Sequence, residues 1–297
     1  MLRKQDLAMT ALAPIVWGST YLVTTELLPP NLPITVATLR ALPAGILLLL
    51  FVKQLPAVQW WSKIALLGAL NFSIFWALLF IAAYRVPGGV AATVGALQPL
   101  FVVVFARFAL GSPIQALSAL AAFAGIIGVA LLVLTPAASF DFIGVAAGVG
   151  GAVSMAAGTV LTRKWRPPVS SLTFTAWQLT GGGVLLLPFA VLLEPPLPGL
   201  SSENILGFVY LSVIGAALTY SWWFKGVSRI EPSIASMLGF FSPMTAVFLG
   251  WLFLGQTLSG VQIIGVSIVL GSVWLSLRAG TNVRLDHSLT SGNVKEI

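Results

Sequence analysis

The sequence predicts an all-α integral membrane protein with ten transmembrane helices in two inverted-topology five-helix repeats. Three observations point there. Of 297 residues, 58% are hydrophobic and only 8% are charged, against about 25% charged in soluble domains. Apolar runs of about 20 residues, enough for a helix to cross ~30 Å of hydrocarbon, recur from one end to the other. One stretch also occurs twice, as "VAATVGALQPLFVVVFARFALGS" at 90–112 and "IASMLGFFSPMTAVFLGWLFLGQ" at 234–256. The missing polar surface excludes a soluble enzyme.

Clusters of Pro, Gly and charge delimit the spans at about 7–28, 32–52, 62–83, 88–108, 113–134, 141–162, 170–193, 203–224, 232–254 and 259–278. The first follows Arg3 and Lys4, as a signal peptide would, but it runs to about Leu28 and is too long for one. Lys53 and Lys63 separate the second and third spans, and Arg85 lies between the third and fourth. Arg107 ends the fourth, and "TPAASF" divides the fifth from the sixth. Arg163, Lys164 and Arg166 follow the sixth, Glu194 and Glu203 separate the seventh and eighth, and Lys225 and Arg229 precede the ninth. Arg278 ends the tenth, and residues 280–297 read as a polar, disordered cytoplasmic tail.

Basic residues set orientation. With the N-terminus inside, the inner segments hold Arg3, Lys4, Lys53, Lys63, Arg107, Arg163, Lys164, Arg166, Lys225, Arg229, Arg278, Arg284 and Lys295, and the outer loops hold Arg85. Both termini are therefore expected in the cytoplasm. The net charge of +7 is spread along span flanks and is no nucleic-acid signal.

A shift of 144 positions superposes Arg85, Ala91, Gly95, Pro99, Val103, Leu110 and Gly111 on Arg229, Ala235, Gly239, Pro243, Val247, Leu254 and Gly255. Five spans separate the copies. Five is odd, so the copies run in opposite directions, a layout of many secondary transporters. The halves are read as 1–135 and 141–279.

With "WGST" at 17–20, proline-centred fourth and ninth spans, and "LGS" and "LGQ" after them, the sequence resembles the drug/metabolite transporter superfamily. The resemblance is to its ten-helix members with two EamA-type repeats, and covers about 7–135 and 141–279. Ser112 and Gln256 stand where many members carry an acid. The resemblance implies export of small metabolites or amino acids. Spans 1–4 and 6–9 would surround a central cavity, with 5 and 10 peripheral.

A mid-helix proline deletes one hydrogen bond and crowds the carbonyl four residues earlier. Those residues are Gly95, before Pro99, and Gly239, before Pro243. Gln98 and Ser242 sit beside the prolines and could satisfy the freed carbonyls. The four Gly and Pro positions form either a static kink or a hinge in each half. Of ten tryptophans, seven (Trp60, Trp61, Trp165, Trp222, Trp223, Trp251, Trp274) lie near span ends and fit an interfacial belt. Trp17, Trp76 and Trp177 lie inside spans. Trp17, Thr20, Tyr21 and Thr24 share one helical face, the expected cavity lining. Asn71 and Gln178 are assigned to the same lining. Arg40, a charge deep in a span, either attracts a substrate carboxylate, snorkels, or pairs with Glu26. Arg85 and Arg229 read as lipid-facing or loop-bonded.

There is no Cys, His287 lies in the tail, and no P-loop occurs, so no metal, cofactor or ATP is expected. No Asp, Glu or His falls near a span centre, which argues against proton relays. The expected function is downhill export of small amphipathic metabolites, neutral or aromatic amino acids first. Lipophilic drugs or cations, a channel-like protein and a membrane enzyme are the alternatives. The expected partners are a small-molecule substrate and the lipid bilayer, without nucleic acid, and the chain is expected to act as a monomer.

The charge bias makes a direct prediction. A cysteine introduced at 135–140 should label from outside intact cells, and Trp165→Cys should not. The opposite labelling would reverse the topology.

Overall fold

The computed structural model describes residues 4–86, 93–133, 141–253, 255 and 259–292; the side chains of Tyr21, Ala83, Tyr84 and residues after Arg278 fall outside this set. Ten helical spans cover it, because a helix satisfies its own backbone where no water can. They are α1 (Lys4–Leu27), α2 (Pro33–Val52), α3 (Val58–Ala82), α4 (Thr93–Leu110), α5 (Ala116–Val133), α6 (Phe142–Lys164), α7 (Ser171–Leu193), α8 (Ser202–Val227), α9 (Pro232–Phe253) and α10 (Gly260–Arg278). The last helix is not cut off at its membrane span. It continues to Gly292, where an irregular tail was expected from 280. Residues 260–292 contain no proline, and elongating an existing helix is far easier than starting one.

The spans run alternately up and down. The face that holds Asp6 also holds its ion-pair partner Arg229 and the Trp177 indole, which donates to the Gln54 carbonyl at 2.7 Å. The opposite face holds Asp141. There the Glu194 carboxylate accepts the free backbone N–H groups of Ile34 and Thr35, both at 2.7 Å, at the start of α2.

The repeat is visible in the backbone irregularities. α3 widens into a π-type turn at Ala69–Ser73, and α8 does so at Tyr210–Leu218. The 144-position shift carries 69–73 onto 213–217, inside the second wide turn. α4 and α9 are both broken. In α4 a turn at 96–97 precedes the helix Gln98–Leu110; in α9 the helix Pro232–Leu238 gives way to Phe241–Phe253. The prolines are therefore not in mid-helix, as the sequence suggested. Pro99 and Pro243 lie in the first turn of a second half-helix, where the missing N–H would have had no partner anyway. The Gly239 carbonyl is met by the backbone N–H of Ser242 at 3.0 Å, not by its side chain. Gly111 (φ 70°) and Gly255 (φ 64°) follow the two second halves in the left-handed conformation that closes a helix, which explains their repetition.

Two glycine seams join the halves. A Cβ at Gly45 would lie 2.4 Å from the Thr180 backbone N, and one at Gly183 2.7 Å from Leu42 Cα. These contacts press α2 against α7. A Cβ at Gly265 would lie 2.7 Å from the Gly128 carbonyl, pressing α5 against α10. Between membrane helices, such backbone approach replaces the hydrophobic driving force.

Gly45→Ala should therefore cost ~1–3 kcal/mol through overpacking and lower the melting temperature in detergent. Gly271→Ala, which has open space around it, should be neutral or slightly stabilising. Equal melting of the two variants would refute the seam.

Candidate substrate site

Three spans converge on one backbone oxygen. The Trp17 indole on α1 donates to Thr219 Oγ1 at 2.8 Å, and Thr219 Oγ1 donates to the Gly215 carbonyl at 2.9 Å. Arg40 Nη2, on α2, donates to the same carbonyl at 2.9 Å. Gly215 lies in the wide turn of α8. Arg40 is only 5% exposed, and its guanidinium lies 4.9 Å from the centroid of Trp76. An arginine at the centre of a membrane helix costs ~3 kcal/mol on insertion scales. The carbonyl and the ring face offset that cost.

Beside Arg40 the spans build an aromatic cage. Trp17 lies 4.7 Å from Tyr220 and 5.2 Å from Trp223; Phe72 lies 5.2 Å from Trp76 and 4.8 Å from Tyr220. Trp76 and Tyr220 are equivalent under the 144-position shift, and their rings meet at 6.0 Å. The cage thus straddles the pseudo-twofold axis.

A second polar cluster mirrors the Arg40 cluster. Aligning Gly45 and Phe51 with Gly183 and Phe189 places Arg40 on Gln178, while the 144-position shift places Asn71 on Gly215. Arg40 reaches Gly215, and Gln178 reaches Asn71: Asn71 Nδ2 donates to Gln178 Oε1 at 2.9 Å and to Thr162 Oγ1 at 3.1 Å. Each cluster joins the two halves: a guanidinium makes the contact in one, and neutral amides make it in the other.

The expected site residues divide as follows. Trp17, Arg40 and Trp76 come together around the cage. Asn71 and Gln178 form the amide cluster. Thr20 Oγ1, Thr24 Oγ1 and Gln98 Nε2 are buried with no protein hydrogen-bond partner among the described residues. Tyr21 belongs to α1, but its side chain lies outside the described set. Ser242 lies at the break in α9, and its carbonyl would sit 2.5 Å from a Cβ at Gly18, so the glycine of "WGST" lets α1 touch the second half of α9. Gly95 and Pro99, like Gly239 and Pro243, flank the breaks. Trp177 lies apart from the cage, packed among Ile64, Leu67 and Phe174. Arg85 and Arg229 are ion-paired rather than lipid-facing. Trp223, read from the sequence as interfacial, is 1% exposed and belongs to the cage. Its spacing of three from Tyr220 was the available signal. The wide turn that swings both residues inward is not legible in residue types.

Residues 6–134 and 142–278 each match the model of the EamA-like transporter family. Protein PecM of Dickeya dadantii is 47% identical over 264 residues, which is 88% of each chain. The inner membrane transporter YedA of Escherichia coli is 29% identical over 268 residues, 88% of this chain and 87% of that one. A crystal structure of a protein 20% identical in sequence superposes with a TM-score of 0.79, covering 95% of this chain and 99% of the other, a likeness of fold alone.

The convergence on Gly215 is testable by a double-mutant cycle. Thr219→Val keeps the shape but strands the Trp17 indole, and should cost about 1–3 kcal/mol. Trp17→Phe removes the stranded donor, so Thr219→Val should cost much less in that background. Additive losses in thermal unfolding would show that the indole bond is unimportant.

Proposed function

The chain belongs to the EamA-like transporter family, and we propose that it exports small amphipathic metabolites, aromatic and other neutral amino acids first among them. The observation that supports this reading is the aromatic cage with a buried guanidinium at its edge. An aromatic body stacks on Trp17, Trp76 and Tyr220, and a carboxylate pairs with Arg40. The same positive charge repels a lipophilic cation, which makes cations the weaker alternative. The buried hydroxyls of Thr20 and Thr24 and the Trp223 indole N–H supply further polar atoms for a bound molecule.

Transport proceeds by alternating access. The broken spans α4 and α9, with their Gly95–Pro99 and Gly239–Pro243 segments, act as hinges, and the glycine seams stay closed. The basic face that holds Lys4 and Arg278 is cytoplasmic, the chain works as a monomer in the plasma membrane, and the substrate moves down its gradient. The last point rests on Asp6, Glu26, Asp141, Glu194, Glu203 and Glu231, which all lie at or beside span ends.

The test is flux in proteoliposomes. Uptake of labelled phenylalanine or tyrosine should saturate, and an imposed pH gradient should not drive it uphill. Arg40→Gln should weaken the amino acid about tenfold or more and, with the repelling charge gone, leave the cationic phenethylamine and tyramine, which lack the carboxylate, unweakened or improved. Faster flux of the amines than of the acids in the unmodified protein would favour the cation reading, and unsaturable flux a channel.

A further inference from the structure

Two ion pairs occupy inverted-symmetric places. Arg85, three residues past α3 where its helix ends, pairs with Asp141 at the start of α6 at 3.5 Å. Arg229, between α8 and α9, pairs with Asp6 at the start of α1 at 2.8 Å. Arg85 and Arg229 are equivalent under the 144-position shift, and Asp141 and Asp6 open the first spans of the two halves. Each pair ties one half of the molecule to the other, and the pairs lie on opposite faces of the bundle.

Close backbone approach accompanies both. A Cβ at Gly144, one turn into α6, would lie 2.8 Å from Arg85 Cβ. A Cβ at Gly226, at the end of α8, would overlap Thr10, whose hydroxyl donates to the Asp6 carbonyl at 2.6 Å. The pairs differ in burial. The difference lies in the carboxylates: Asp6 is 11% exposed and Asp141 40%, while Arg229 and Arg85 are 47% and 45% exposed. Arg163 also braces the Asp6 face by donating to the carbonyls of Val227 and Ile230.

We propose that Asp6–Arg229 and Asp141–Arg85 are a symmetric pair of latches, each holding its own face of the transport pathway closed. The proposal rests on the alternating-access reading above. Both latches are formed here, and opening one face separates the halves there and breaks that face's pair. A solvated ion pair is weak, so each latch biases the equilibrium without locking it. The Asp6–Arg229 pair, shorter and with the more buried carboxylate, is the stronger of the two.

The test uses the full chain, which has no native cysteine, with Thr20→Cys or Thr24→Cys as reporter in sealed vesicles of each orientation. A membrane-impermeant maleimide is applied from each side. In the parent reporters the thiol should react from both faces; reaction from one face only would sink alternating access and the latch proposal with it. Asp6→Asn should raise the ratio of labelling from the Asp6 face to that from the Asp141 face about fivefold. Asp141→Asn should lower it about twofold, and that effect should fade in high salt. Asparagine keeps the Asp141 cap on the Gly144 N–H while removing the charge. The charge-swapped double variants Asp6→Arg/Arg229→Asp and Asp141→Arg/Arg85→Asp should return the ratio toward the parent value, which a folding defect would not do. Ratios unchanged from a parent that labels from both faces, shifts of the same sign in both variants, or no recovery in the swapped pairs would overturn the latches and leave alternating access standing.

Discussion

Arg40 needs an acceptor inside the membrane, and the Gly215 carbonyl is that acceptor. A carbonyl oxygen offers two lone pairs, and the side chains of Arg40 and Thr219 both donate to this one. Through Thr219 it also holds the Trp17 indole. One oxygen in a widened turn of α8 thus positions α1 and α2, both from the first half, against the second. The aromatic cage follows from that convergence. Trp17 can face Tyr220 and Trp223 because its N–H is satisfied there, and Trp76 lies under the guanidinium because Arg40 is drawn to the same place.

Inverted duplication explains why such a site forms at the middle of the bundle. Equivalent residues of antiparallel repeats meet near the pseudo-twofold axis, as Trp76 and Tyr220 do. The halves share their backbone irregularities, with a wide turn in α3 and α8 and a break in α4 and α9. Their chemistry has diverged. Where the first half has Arg40, the second has Gln178, and where the second has Gly215, the first has Asn71. The bundle is symmetric in framework and polarised in charge.

The framework combines close-packed seams with discontinuous spans. α2 against α7 and α5 against α10 approach backbone to backbone at glycines, and the Trp177 and Glu194 contacts clamp the first of these seams at both faces. α4 and α9 are discontinuous. The ion pairs bridging the halves sit at the faces, where solvent reaches both arginines.

Much of this was legible in the residue order. Composition dictated ten spans, because hydrocarbon admits only helices whose side chains are apolar along ~20 residues. Arg85/Arg229, Gly111/Gly255 and the prolines revealed the inverted repeat, and the spacing of Trp17, Thr20 and Thr24 marked one face of α1. The tertiary structure alone decided which inward residues meet. Trp76 and Trp177 look alike in sequence, yet one lies under Arg40 in the cage and the other donates to the Gln54 carbonyl at a seam. Trp223 reads as interfacial and is buried, because the wide turn of α8 changes the face that follows. The prolines read as mid-helix kinks and instead open second half-helices, because the break falls just before them. Periodicity records which residues share a face of one helix. Which face meets which neighbour depends on wide turns, breaks and glycine contacts between spans distant in sequence, and those depend on the other helices being in place.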